Sequence, residues 1–351
     1  MEQMPLSPFA RFLLLTAAFI IVVAGMKAAE SLLVPFFLSL FIAIISSPLL
    51  AFMKRFGLSN SLSILLIIFI IVVFGMAIGV IVGSSVTSFR ADLPEYQEKL
   101  LALTDNLLQQ FTALGIQIDK TQWREMVNPS SAFSLLGNTL AQFGNVMTSA
   151  LLILLTVTFI LAEEVRFIDK LKNSGGGNQK TLDAIQQFTR SVNKYMAIKT
   201  VISIATGLIA TISLMLIGVD YASLWGLLAF LLNFVPALGS LLAAIPPVLL
   251  ATVQLGVGHA IITALVYIVI NVFVGNVIEP KLMGKGLNLS TLVVFLSLVF
   301  WGWVLGPVGM LLSVPLTMTV KIALENFSNT RWLSVILGSR VETVKTDASI
   351  N

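Results

Sequence analysis

The sequence predicts an all-α polytopic membrane protein with about eight hydrophobic helical segments, and three observations predict it. Of 351 residues, 57% are hydrophobic and 11% charged, and the mean hydropathy is +0.97, which an ordinary soluble globule does not reach. Apolar runs recur along the chain at lengths suited to a hydrocarbon core of about 30 Å, which takes roughly 20 helical residues to cross. Two late runs carry proline and glycine inside apolar sequence. Within a bilayer such backbone is tolerated only where protein or a water-lined cavity satisfies it.

The first run, Phe9 to Met26, is followed at once by Ser31 to Phe52 with no small-residue cleavage site between them. It therefore reads as a retained helix rather than a secretory signal. Leu62 to Gly83, Asn145 to Leu161, Ile198 to Ile217 and Ala260 to Val277 complete the uninterrupted spans. Ala222 to Thr252 and Leu287 to Ala323 are each divided into two arms, which makes one or two broken hairpins. The arms of the first are about fifteen residues long, too short to cross comfortably, whereas those of the second approach spanning length. Both breaks are expected near the middle of the bilayer.

Loop charges give the orientation. Between Glu163 and Lys199 stand seven basic residues against four acidic ones, which marks this loop as cytoplasmic, and Lys54 with Arg55 agrees. Both termini then lie in the cytoplasm, and residues 90–144, with four basic and six acidic residues, lie outside. In that outer segment Tyr96, Leu100, Leu103, Leu107, Phe111 and Leu114 recur at helical spacing after Asp92-Leu-Pro94, which predicts a small helical subdomain starting there. The run Ser174 to Asn178, with three glycines, reads as a flexible joint. The chain divides accordingly into membrane helices 1–89, an outer segment 90–144, a helix with a basic loop 145–198, a hairpin-bearing part 199–325 and a tail 326–351.

An internal repeat runs through the hairpins. Gly239-Ser-Leu-Leu-Ala-Ala-Ile-Pro246 aligns with Gly309-Met-Leu-Leu-Ser-Val-Pro315, and Pro236 and Pro307 precede the two glycines. The spans upstream of the two copies cross in opposite directions by the loop charges, so the copies are inverted. Corresponding Gly/Pro-interrupted segments in two inverted halves point to a solute site at their interface. Two independently kinked helices are the plainer explanation.

Chemistry by an enzyme has no footing. Gly284-Lys285 is followed by Gly286 and lacks the upstream glycine of a phosphate-binding loop, and the one histidine, His259, has no HExxH partner. With no cysteine in the chain, disulfides and thiolate metal sites are excluded. The pattern points to no cofactor, no metal and no nucleic-acid partner. Between Thr200 and Val320 the carboxylates are Asp220 and Glu279. Asp220 is placed to cap the following arm. Glu279 is the candidate for ion coupling, the alternative being an interfacial pair with Lys281 or Lys285. For a polar solute, the candidates are Asn233, Pro236, Gly239 and Ser240 at the first break, Gly306 and Gly309 at the second, and Asn271 and Asn276 within a span. Amides there can equally bridge helices. Ser290 and Thr291 open the second hairpin, and Trp301 and Trp303 suit an interface or hairpin tip.

The runs NFVPALGSLLAAIPP and VGNVIEPKLMGKGLNLSTLVVFLSLVFWGWVLGPVGMLLSVPLT resemble the autoinducer-2 exporter family of bacterial inner-membrane proteins. VPFFLSLFIAIISSPLL and WGLLAF fit as well, so the resemblance covers nearly the whole chain and is densest from Trp225 to Glu325. It implies a secondary transporter exporting autoinducer-2, a small, highly hydroxylated quorum-sensing signal, and so modulating biofilm behaviour. It also implies a homo-oligomer, a pentamer, with an elevator-like moving part. Other members of the family resemble sodium or lithium/proton antiporters. Three readings follow: an exporter of a small polar solute, a cation/proton exchanger, and a non-transporting membrane scaffold.

Overall fold

In the computed structural model of the chain, residues 7–113, 149–173, 179–236, 238–283, 289–326 and 330–338 are described. Among them every regular element is helical. The outer segment beyond Ala113, the glycine joint, Lys285 and the last thirteen residues lie outside the described residues.

The chain runs α1 (Pro8–Ala28), α2 (Glu30–Arg55), α3 (Asn60–Ala113), α4 (Ala150–Asn173), α5 (Gln179–Ile217), α6 (Ala222–Leu232), α7 (Gly239–Leu255) and α8 (Val257–Phe273). A π-helical turn, Val274–Ile278, carries α8 into the short α9 (Glu279–Met283), and α10 (Thr291–Asn326) and α11 (Arg331–Leu337) follow. Among the described residues, Glu30–Arg55, Asn60–Asp105, Thr189–Ile217 and Val257–Leu282 are each long and apolar enough to cross a membrane, and Thr291–Glu325 reaches that length only across a break at Gly306. Shorter apolar helices, among them Phe12–Ala28, Ala150–Glu163, Ala222–Leu232 and Gly239–Leu255, supply the rest.

The predicted helix start at Asp92 does not exist. Helix α3 is continuous over 54 residues with Pro94 inside it, about 80 Å of helix. A proline there forfeits a backbone bond and costs about 3 kcal/mol. Packing offsets the loss: Phe89 and Tyr96 are buried, and Leu93 and Leu100 join them against Trp225, Leu228 and their neighbours. The helix therefore runs through the proline.

Hydrophobic contacts sort the helices. Ala43 and Leu50 of α2, Ile67 of α3 and Val157 and Leu161 of α4 share one core. A second joins α5 to α8, with Leu214, Trp225, Ala243, Leu250 and Tyr267 at its centre. A third sets Phe41 of α2 and Tyr195 and Met196 of α5 against Phe234, Leu312 and Met318. Phe41 and Phe234 meet edge to face with ring centres 5.3 Å apart.

Candidate functional site

Helix α10 is a folded-back hairpin. Gly306, at φ 63° and ψ −151°, interrupts it, a backbone region that is essentially open to glycine alone. The Trp301 indole N–H donates to the Thr317 hydroxyl at 3.0 Å, although sixteen residues of straight helix would separate them by about 24 Å. The two arms, 291–305 and 307–326, thus lie side by side. Removing that bond with the near-isosteric Thr317→Val, which leaves the buried indole N–H unpaired, is expected to cost about 1–3 kcal/mol, read as a lower melting temperature in detergent. At the root of the hairpin, the Val293 N–H donates to the Ser290 hydroxyl at 3.2 Å, so Ser290 caps the first arm.

The first hairpin, α6 and α7, turns at Asn233 to Leu238. Its turn is closed by Val235 N–H to Leu232 carbonyl at 2.8 Å and Leu238 N–H to Pro236 carbonyl at 2.6 Å. The glycines that the repeat aligns share one physical cause. A Cβ on Gly239 would lie 1.7 Å from the Leu232 carbonyl oxygen, and one on Gly309 would lie 2.0 Å from that of Trp301. Each glycine lets the backbone of one arm touch the backbone of the other.

The hairpins enter from opposite ends of the bundle. Lys199 of α5 and Glu279 of α9 form an ion pair at 2.7 Å, which fixes one end. At the other, the Gln254 amide donates to the Gly218 carbonyl and accepts from the Asp220 N–H, at 3.1 and 3.0 Å. The first hairpin is rooted at this second end. Its turn reaches Ser203, four residues from Lys199 and so about 6 Å along the helix. The second hairpin reaches the opposite way: a Cβ on Gly306 would lie 3.3 Å from a Glu30 carboxylate oxygen, and Glu30 sits at the α1–α2 junction, paired with Lys27 at 2.6 Å. The expectation that both breaks lie midway is thus corrected for the second. With twenty residues in arm 307–326, about 30 Å of helix, the longer arm matches the thickness of a hydrocarbon core. Its break sits beside the α1–α2 turn, where the carboxylate of Glu30 faces the start of a helix, a favourable end for an anion.

The first break meets α5 at Ser203, the middle of the apolar stretch Thr189–Ile217. Asn233 is buried, and its Nδ2 donates to Ser203 Oγ at 2.9 Å. Lys199, Ser203 and Thr206 stand at i, i+4 and i+7 on α5 and are all buried, a polar row on one face. Lys199 has Glu279 and Ser203 has Asn233. The Thr206 hydroxyl, like those of Ser63 and Tyr267, has no hydrogen-bond partner among the described residues. A buried unsatisfied hydroxyl is uncommon in a native fold and costs about 1–3 kcal/mol.

Of the predicted residues, Asn233, Pro236, Gly239 and Ser240 gather at this break. Asn271 and Asn276 do not join them: both lie on exposed faces of α8 and the π-turn. Gly306 and Gly309 belong to the other end. Glu279 pairs with Lys199 and, among the described residues, not with Lys281; Lys285, the other partner in that alternative, lies outside them. Lys199, Ser203 and Thr206 were missed by sequence reasoning, though a Lys, Ser, Thr row at helical spacing inside an apolar span was a visible signal.

A second polar cluster lies at the Asp220 end. Tyr96 OH donates to Asp220 Oδ2 at 2.7 Å and Tyr221 OH donates to Asp92 Oδ2 at 2.5 Å. Asp220 therefore does not cap α6. The N-cap position belongs to Tyr221, whose φ of 57° is left-handed and which makes no side-chain cap bond. The Trp225 indole instead donates to the Asp220 carbonyl at 3.0 Å. Burial first, and then the bond to Asp92, push the Tyr221 phenol up to about 12.

A multi-pass helical chain with two broken hairpins inserted from opposite ends, and a buried polar row beside one break, has the architecture of a membrane transporter. The chain belongs to the AI-2E family of transporters, whose family model matches residues 13–329. It is 40% identical to the AI-2 transport protein TqsA of Escherichia coli K12, over 93% of this chain and 95% of that protein. A putative transport protein of Haemophilus influenzae is 41% identical over 93% of this chain and 96% of its own length. YhhT of Escherichia coli K12, also a putative transport protein, is 32% identical over 93% of both chains.

Proposed function

We propose that this chain exports autoinducer-2, or a similar small hydroxylated solute, across the bacterial inner membrane by alternating access. The observation that carries the reading is the first break: Asn233 held on Ser203 beside the unpartnered Thr206 hydroxyl, deep in the apolar span. A polyol offers that set both donors and acceptors, and the turn ahead of Gly239 adds backbone groups outside a regular helix. The name of the Escherichia coli relative, 40% identical, supports this solute class. In this reading α1 to α4 form a scaffold and residues 199–325 the moving part. Both termini are cytoplasmic, and the chain works as a homo-oligomer, a pentamer. The hairpins then serve as the two sides of one alternating-access device, Gly306 and Gly309 shaping the second.

Asn233→Ala is expected to lower solute flux about tenfold, the scale of one lost hydrogen bond in a water-poor site, while the protein assembles as the parent does. Equal flux from equal amounts of assembled variant and parent in reconstituted vesicles would remove Asn233 from the site.

A second reading, cation/proton exchange, is favoured by one feature: Glu279 is an acid tied to a buried lysine at the end of the polar row. It makes Glu279 the coupling residue and predicts sodium- or lithium-driven proton movement that Glu279→Gln abolishes. A parent protein that shows no proton response to either cation in vesicles rejects it.

A further inference from the structure

The cluster at the Asp220 end joins parts that the transport reading requires to separate. Helix α3 contributes Asp92 and Tyr96, one turn apart, and the α5–α6 turn contributes Asp220 and Tyr221. Each side offers one phenol and one carboxylate, and the bonds cross: Tyr96 to Asp220, Tyr221 to Asp92. The phenols themselves stand 3.5 Å apart. Among the described residues no ion pair engages either aspartate, so parting the two sides strands no lysine or arginine.

Two further observations set this cluster apart from ordinary packing. Tyr221 holds φ 57°, a conformation unfavourable for a residue with a Cβ, at a place where glycine would be free of the cost. The turn keeps a tyrosine there, and its phenol reaches α3. Toward the bundle from these bonds, the seam between α3 and the turn opens into a cavity of about 530 Å³ with Ser84, Ser85, Gly218 and Ser223 in its wall. Apolar packing of Val86, Phe89 and Leu93 against Val219, Ala222 and Trp225 lies beside the opening, and the hydroxyls give water a way in along its edge. The ring of Phe89 lies under both tyrosines, 6.1 Å from Tyr96 and 5.9 Å from Tyr221, and orients them.

We propose that Asp92, Tyr96, Asp220 and Tyr221 form a reversible latch that holds the moving part against α3 in this state and opens once in each transport cycle. The inference rests on the division into scaffold and moving part made above. Hydrogen bonds to carboxylates suit the task, because water can replace each one as the surfaces part. The four are positioning residues and touch no solute.

The chain has no cysteine, so introduced thiols report without background. In a chain carrying Ala222→Cys, a position buried at this seam, adding Tyr96→Phe and Tyr221→Phe keeps both rings and removes both bonds. Labelling of Cys at 222 by a membrane-impermeant maleimide is expected to rise about tenfold or more, tenfold being the scale of losing one bond to a charged group, since two are lost. In a second variant, Tyr96→Cys with Asp220→Cys, a reducible bifunctional thiol crosslinker is expected to stop flux, and reduction to restore it. Unchanged labelling in a variant that assembles as the parent does would overturn the latch, and so would full flux through the crosslinked protein. The labelling requires no knowledge of the solute, so a failure to carry autoinducer-2 leaves that result standing and counts against the transport reading alone.

Discussion

Alanine at Gly239 or at Gly309 is expected to lower stability by about 3 kcal/mol or more, the upper end of overpacking. The obstruction in each case is a carbonyl oxygen of the opposite arm, 1.7 Å from the new Cβ at Gly239 and 2.0 Å at Gly309. A side chain could rotate away from an added methyl; a carbonyl within a hairpin cannot move without parting the arms. Gly258→Ala is the control. Its Cβ meets nothing within 4 Å and it lies inside α8, so it is expected to be neutral or to stabilise by about 0.5–1 kcal/mol. Thermal melts of the purified protein with a size-exclusion profile check all three. Equal melting temperatures for Gly239→Ala and Gly258→Ala would mean that the arms do not touch as described.

The Lys199–Glu279 pair gives the second large effect, and it is unequal between partners. The Lys199 side chain is 4% exposed and that of Glu279 24%. Glu279→Gln therefore leaves a nearly dry ammonium without its counter-charge, a loss of about 3–5 kcal/mol. Lys199→Met leaves a carboxylate that water still reaches, and buries an apolar chain of similar length where the ammonium stood. It is expected to cost clearly less, and Lys199→Met with Glu279→Gln to recover most of what Glu279→Gln alone loses. Urea or thermal titrations of the three variants test the order. A double variant no more stable than Glu279→Gln would show that the pair is not the cause.

Much of the fold could be read from composition and periodicity, because a bilayer leaves few solutions to an apolar chain: helices of fixed length and breaks only where backbone can be satisfied. The repeat around Gly239 and Gly309 was legible for a similar reason, since close contact between arms admits no Cβ. The start of an outer helix at Asp92-Leu-Pro94 was misjudged because the local signal at proline was outweighed by the packing of Phe89 and Tyr96, which depends on Trp225 more than a hundred residues away. Asp220 was read as a cap for the same kind of reason: its hydrogen-bond partner, Tyr96, lies 124 residues off. Pairs such as Lys199 with Glu279 and Glu30 with the Gly306 break are set by how helices pack, which no local pattern encodes. Asn271 and Asn276 shared the amide chemistry of Asn233 but not its face of the bundle, and residue type alone did not distinguish them.

The central claim is that the buried break at Asn233, with Ser203 and Thr206, carries a hydroxylated solute through the membrane. Flux of labelled autoinducer-2 into and out of vesicles reconstituted with the purified protein, with sodium and pH gradients varied independently, tests it most directly. Protein-dependent flux that unlabelled autoinducer-2 competes down is the predicted result. Vesicles that take up and release the label no faster than protein-free ones, under every gradient, would contradict it.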